Sequence, residues 1–97
     1  MKIRLLSSAK QDLRDGFNFY EEKESGLGAY FLESLYSDVD SLRIFAGVHE
    51  IHFKKYYRAL SKRFPYAIYY TVSDNVIEVH AIIDCRRNPV WIKSKLE

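Results

Sequence analysis

The residue pattern predicts one α+β domain with the order β-α-α-β-β-β, a helical hairpin packed on one face of a mainly antiparallel sheet. Three observations carry this. Apolar residues recur at helical spacing twice in the first half of the chain and alternate at strand spacing through the second half. Gly26 and Ser73-Asp74-Asn75 supply stop and turn signals between those segments. The chain has 97 residues with no repeat, linker or shift in composition, so residues 1–97 read as a single domain.

The elements follow in order. Lys2–Leu6 is short, apolar and β-branched, and reads as a first strand. Ser8-Ala9-Lys10-Gln11 matches a capping box, in which Ser8 and Gln11 would satisfy each other's backbone amides. Ala9, Leu13, Phe17 and Tyr20 then fall on one helical face. Gly16 interrupts that helix and implies a close packing contact. Gly26 suits a left-handed stop. A second helix is expected from Leu27 to Phe45, with the stripe Leu27, Phe31, Leu35, Val39 and Leu42, and an end at Gly47. The short turn between the two makes them an antiparallel pair.

From Glu50 onward the pattern is β. Ile51–Phe53 and Tyr57–Lys62 are candidate strands, and Pro65 can open Tyr66–Val72 because a first strand residue can spare its amide. Val76–Cys85 is the last long strand. In it Ile77, Val79, Ala81, Ile83 and Cys85 should face the helices, leaving Val76, Glu78, His80, Ile82 and Asp84 outside. Asn88-Pro89 ends it, and Val90–Leu96 reads as a short helix or loose tail.

Composition narrows the function classes. The single cysteine, Cys85, excludes an intrachain disulfide and fits a reducing compartment. The N-terminal apolar stretch is too short for a signal-peptide core, and no run reaches a membrane span, so the cytoplasm is the expected location and no membrane partner is implied. Residues 1–48 hold six Lys/Arg against eight Asp/Glu, whereas residues 49–97 hold nine against five. The second half should therefore present a positive face.

No phosphate loop, paired cysteines or helical metal motif is present, so no cofactor and no metal are implied. His49 and His52 are badly spaced for sharing a metal. His80, between Glu78 and Asp84 on one predicted strand face, reads either as a general base with a raised pKa or as a solvated surface trio. Cys85 reads as a small core residue. The richer cluster is basic: Lys54, Lys55, Arg58, Lys62 and Arg63 come from one hairpin region, and Arg86-Arg87 ends the last strand. Such groups suit phosphates or carboxylates, and Tyr56, Tyr57, Tyr69 and Trp91 among them could stack on bases or pack in a protein interface. Alternate basic residues also protect sheet edges, a reading that fits the same pattern.

Arg63-Phe64-Pro65-Tyr66-Ala67-Ile68-Tyr69-Tyr70-Thr71-Val72 resembles the F-P-Y-x-I-x-Y strand of the ParE/RelE toxin superfamily. Val79 through Trp91 resembles its last strand, which closes on R-R-x-P-x-x-W, and Ala9–Leu13 with Gly26–Phe31 resembles its helical hairpin. The resemblance covers nearly the whole chain in order. It implies the RelE/ParE-like fold and the toxin of a type II toxin–antitoxin pair, neutralised by a cognate antitoxin in a hetero-oligomer. ParE-like members inhibit DNA gyrase, and RelE-like members cut messenger RNA on the ribosome without a metal. The ending Arg86-Arg87-Asn88-Pro89-Val90-Trp91 resembles ParE-type plasmid-stabilisation proteins, which makes Arg86, Arg87 and Trp91 the expected target-binding residues. On the RelE alternative, Arg58, Lys62, Arg86 and Tyr70 would form the cleaving set. A non-toxic member that only binds an antitoxin-like partner is the third reading.

Overall fold

The computed structural model describes residues 1–97. Its order is β1 (Lys2–Leu5), α1 (Ser7–Lys23), α2 (Leu27–Asp40), α3 (Leu42–Phe45), β2 (Glu50–His52), β3 (Tyr56–Leu60), β4 (Tyr66–Ser73), β5 (Val76–Asp84) and α4 (Pro89–Leu96). The five strands form one sheet in the order β1-β5-β4-β3-β2, antiparallel except for the parallel β1–β5 pair. No helix is long and apolar enough to cross a membrane.

The helical hairpin forms because two apolar stripes at 3.6-residue spacing have one sheet face to cover. Ala9 and Leu13 of α1, with Phe31, Leu35 and Val39 of α2 and Leu42 of α3, meet Ala59, Ile68, Tyr70, Ile77, Val79 and Ile82 of the sheet. Phe31 packs within 5.0–5.2 Å of the rings of Tyr20, Phe64 and Tyr66. The helices cross where side chains are missing: a Cβ on Gly16 would lie 2.4 Å from Phe31, and one on Gly28 would lie 2.7 Å from the Phe17 carbonyl. Gly26 adopts the left-handed φ of 91° that turns the chain between them.

Several local expectations give way to tertiary geometry. Ser8 does not cap α1. The Leu6 amide still bonds Val79 in the sheet while its carbonyl already accepts from Lys10, so the chain passes directly from strand to helix. Gln11 instead bonds Asp15 and Arg14 along the helix surface. The second helix is not continuous to Phe45. It breaks at Ser41, whose hydroxyl donates to the Asp38 carbonyl at 2.6 Å, a local bond that competes with helical pairing. β2 stops at His52 because Phe53 and Lys54 are both left-handed. β3 ends at Leu60, leaving Lys62 in a loop whose Ser61 hydroxyl is tied to Asp38 at 2.6 Å.

The largest departure is in β5. Tyr69 pairs with Ala81 but the next residue, Tyr70, pairs with Val79, so His80 is the extra residue of a bulge. Alternation resets there. Ile77 and Val79 face the helices as expected, whereas beyond the bulge Ile82 faces them and Ala81 and Ile83 turn to the outer face. Cys85 lies beyond the end of the strand, half-buried against that outer cluster.

α4 covers the outer cluster. Asn88 caps it by accepting from the Val90 amide at 2.8 Å, with Pro89 in its first turn. Ile92 packs with Tyr56, Ala67, Tyr69, Ala81 and Ile83, and the Tyr56 hydroxyl donates to the Leu96 carbonyl at 3.0 Å. A second tie passes around the sheet edge. β1 ends opposite Val79, so the upper half of β5 has no strand on the edge away from β4. The buried Asp12 of α1 takes that place, accepting from the Ile82 amide at 2.9 Å and pairing with Lys95 of α4 at 2.8 Å.

Burial raises the Asp12 pKa, against the opposing pull of the Lys95 and Ile82 contacts. An acid whose folded pKa is raised lends stability at low pH that is lost as pH rises from the ordinary value of 3.8 through the raised one. Asp12→Asn keeps an acceptor for Ile82, whereas Asp12→Ala leaves that amide unpaired at a cost of ~1–3 kcal/mol. Denaturant melts should therefore rank the alanine variant below the asparagine variant. The stability of the native chain relative to Asp12→Asn should fall as pH is raised above 3.8; a flat difference refutes the assignment.

Candidate functional site at the C-terminal end of the sheet

The register divides the basic residues. Lys54 and Lys55 lie in the β2–β3 turn, and Lys62 and Arg63 lie in the β3–β4 loop at the other end of β3. Five strand residues separate the two pairs, ~17 Å. Tyr66 pairs with Asp84, so Arg86 and Arg87 share the end of the sheet with Lys62 and Arg63. The expected single face is therefore two clusters, with Arg58 between them on the outer surface.

Arg58 faces outward and its Nε donates to the Tyr69 hydroxyl at 3.3 Å. Tyr70 faces the other way. It is buried under the helices, where its hydroxyl accepts from the Gly47 amide at 3.0 Å and bonds the His49 ring. Neighbouring strand residues point to opposite faces, so a set containing Arg58 and Tyr70 cannot converge. Nor does a phenol ionise near neutrality there. Burial pushes Tyr20 and Tyr70 up, and Tyr66 to about 12, with nearby phenols or Asp84 adding to the effect.

The Glu78-His80-Asp84 trio is not assembled either. Glu78 pairs with Arg4 at 3.0 Å, and the bulge turns Asp84 away from the face that His80 occupies. His80 bonds Thr71 at 2.9 Å and stands edge-on to Tyr56. Burial lowers its pKa, opposed by Glu78 and assisted by Lys55, the reverse of the raised value expected for a base beside carboxylates. His49 is likewise lowered by burial, and His52 lies 3.4 Å from Glu50.

What the structure does gather lies just beyond β5. Arg86 holds Asp84 in a two-point pair, Nε to Oδ1 at 2.9 Å and Nη2 to Oδ2 at 2.6 Å, and its backbone amide bonds Oδ1 as well. This hydrogen bonding keeps the Asp84 carboxyl below its ordinary range and raises the Arg86 guanidinium above its own. Arg87 takes a different role, with its guanidinium 4.3 Å above the exposed Trp91 ring. A stacked Arg–Trp pair presents a flat cationic surface with its orientation already set. Both residues line a cleft of ≈330 Å³ between α1, the open edge of β5 and α4, with Asp15, Phe19, Asp84 and Lys95 around it. The cleft depends on Asp12 and Lys95, which sequence reading passed over because nothing in an isolated Asp or Lys marks it as an edge cap.

A second concavity lies on the far side of the hairpin. Leu5, Leu13, Phe17, Leu32 and Tyr36 line an apolar groove of ≈450 Å³, with Lys10 and Arg14 also lining it.

No protein-family model and no curated protein sequence matches the chain. Among solved structures, it is similar to a chain of the chromosomal ParDE TA (toxin–antitoxin) system from P. aeruginosa. The TM-score is 0.80 at 15% identity, over 87% of this chain and 95% of that one. The helical hairpin over a five-stranded sheet, closed by a C-terminal helix, is therefore the RelE/ParE-like fold, shared with that ParDE chain over almost its full length.

Proposed function

We propose that the chain is the toxin of a type II toxin–antitoxin pair, acting in the cytoplasm as a ParE-like inhibitor of DNA gyrase and neutralised by an antitoxin. The observation that carries this reading is the likeness to a ParDE chain, which covers 87% of this chain and 95% of that one. The sequence ending through Arg87 and Trp91 agrees with it. RNA cleavage by the alternative route needs a base, an acid and cations around one phosphate. Arg58 in β3 and Tyr70 in β4 instead face opposite sides of the sheet, Lys62 lies in the β3–β4 loop, and Arg86, beyond β5, is already paired.

Arg87 and Trp91 are the residues best placed to meet a target. Both are exposed, they are held against each other, and Arg and Trp are the side chains most often dominant in interfaces. The test is expression of the chain alone, following growth, DNA breaks and mRNA ends over time. Arrest should come with DNA breaks and without codon-phased cuts. Arg87→Ala with Trp91→Ala should relieve arrest while the melting temperature stays within a few degrees. Arrest at full strength in that variant removes this surface from the mechanism, and A-site cuts move the activity to RNA.

The groove beside α1 fits the antitoxin. Its lining is apolar and its two charged members are both basic, a pattern complementary to an amphipathic acidic segment. Lys10→Glu with Arg14→Glu should weaken antitoxin binding at least tenfold in low-salt calorimetry, with the fold unchanged because both side chains are exposed. Unchanged affinity places the antitoxin elsewhere.

A further inference from the structure

The two edges of the sheet are not alike. β1 carries the exposed cations Lys2 and Arg4, an ordinary protection against strand-on-strand pairing. β2, at the opposite edge, is Glu50-Ile51-His52 and has no lysine, proline or bulge, and nothing pairs with its outer side. The chain around it also carries a run of exposed apolar residues. Ile44 is 79% exposed, Val48 72%, Ile51 54% and Phe45 50%, four of the eleven large apolar residues left in solvent, within eight positions of one another. Such a concentration beside an open strand marks an interaction surface.

The strand itself says which partner fits. We propose that β2 pairs with β2 of a second copy of this chain, antiparallel about a two-fold axis through Ile51, joining two five-stranded sheets into one.

In that register Ile51 faces Ile51 of the second copy, and Glu50 of each copy faces His52 of the other. Cross-strand partners share a face, so both Glu–His contacts form on the outer side of the joined sheet. The chemistry is complementary without rearrangement, because Glu50 and His52 already lie 3.4 Å apart within one strand and each would gain a second partner. On the opposite side, Ile51 shares the helix-covered face of its partner Tyr57. The apolar segment that leads into β2 is then available to cover the Ile51–Ile51 contact. A two-fold contact needs a patch complementary to itself, and a three-residue strand of acid, apolar and imidazole meets that condition. An unlike strand would place no such demand on Glu50 and His52.

The contact is small, so the dimer should be a reversible one that forms as the chain is concentrated to ~10–100 μM, as in other weak assemblies. Sedimentation velocity on the full chain should show the mass moving from one copy to two over that range. His52→Glu sets like charges opposite each other and should raise the dissociation constant at least tenfold, and adding Glu50→Lys to it should restore dimerisation. Thermal melts check that each variant is folded.

Cross-linking reads the register independently. Residues directly opposite across an antiparallel pair have Cα atoms ~4.5–5.5 Å apart, within disulfide reach. Under mild oxidant, Ile51→Cys in a Cys85→Ser background should give a covalent dimer in high yield. Glu50→Cys in the same background should not, since residue 50 faces residue 52. A native chain that stays monomeric at ~100 μM overturns the proposal. So does a dimer indifferent to His52→Glu, failure of the exchanged pair to restore it, or equal cross-linking at positions 50 and 51.

Discussion

One additional residue in one strand governs how this molecule is assembled. Without the bulge at His80, β5 would show Ala81 and Ile83 to the helices and Ile82 to the outside, as strict alternation requires. With it, Ile82 joins the helix-side core while Ala81 and Ile83 become a floor for Ile92 of α4. The same reset determines where the strand's polar groups go. The Ile82 amide meets Asp12, and Asp84 points toward Arg86 rather than joining His80. A bulge also strengthens local twist, which suits a strand covered by the helical hairpin on one face and, beyond the bulge, by α4 on the other.

Asp12 then links three elements that share no continuous backbone ladder: α1, the open part of β5 and α4. Its position is costly for a carboxylate, since burial opposes its charge, and Lys95 and the Ile82 amide offset that cost. Truncating either partner of a buried pair is worse than never having built it. The C-terminal segment that carries Arg87 and Trp91 is therefore anchored through a residue more than seventy positions earlier. Geometry at the proposed target surface depends on α1 as much as on the segment itself.

The sequence showed the order of elements well, because both helices have long apolar stripes and β4 and β5 have long β-branched and aromatic runs. It also showed, through Gly16, that the helices approach closely. What it hid falls into two classes. Ser8 and Gln11 have the right types for a cap, yet the strand before them already satisfies the chain's entry into the helix. A local rule lost to a tertiary bond. The second class is register. Tyr69 and Tyr70 differ in sequence by one position and in environment completely, one beside Arg58 and the other sealed under the helices. A bulge has no residue signature when the extra position is a histidine amid valines and isoleucines. The facing of the upper half of β5 and the fate of the His80 trio were invisible for that reason, whereas the basic face divides because its two lysine-bearing loops lie at opposite ends of β3.

The pairing of β1 with β5 has a bearing on how the chain reaches this state. Lys2 lies beside Val76, so the first strand made is completed by the last one. The helical hairpin and the β3-β4-β5 meander can form from near neighbours. Closing β1 onto β5 joins segments more than seventy positions apart and bears the entropy of closing that long loop. During synthesis the Asp12 tie and the α4 cover must wait as well, since both need residues beyond Ile82. A ribosome-bound chain therefore carries a finished hairpin, with the groove beside α1 still missing the wall supplied by β1, long before it carries a finished Arg–Trp surface. The fold closes only once α4 has been made and Lys95 can reach Asp12.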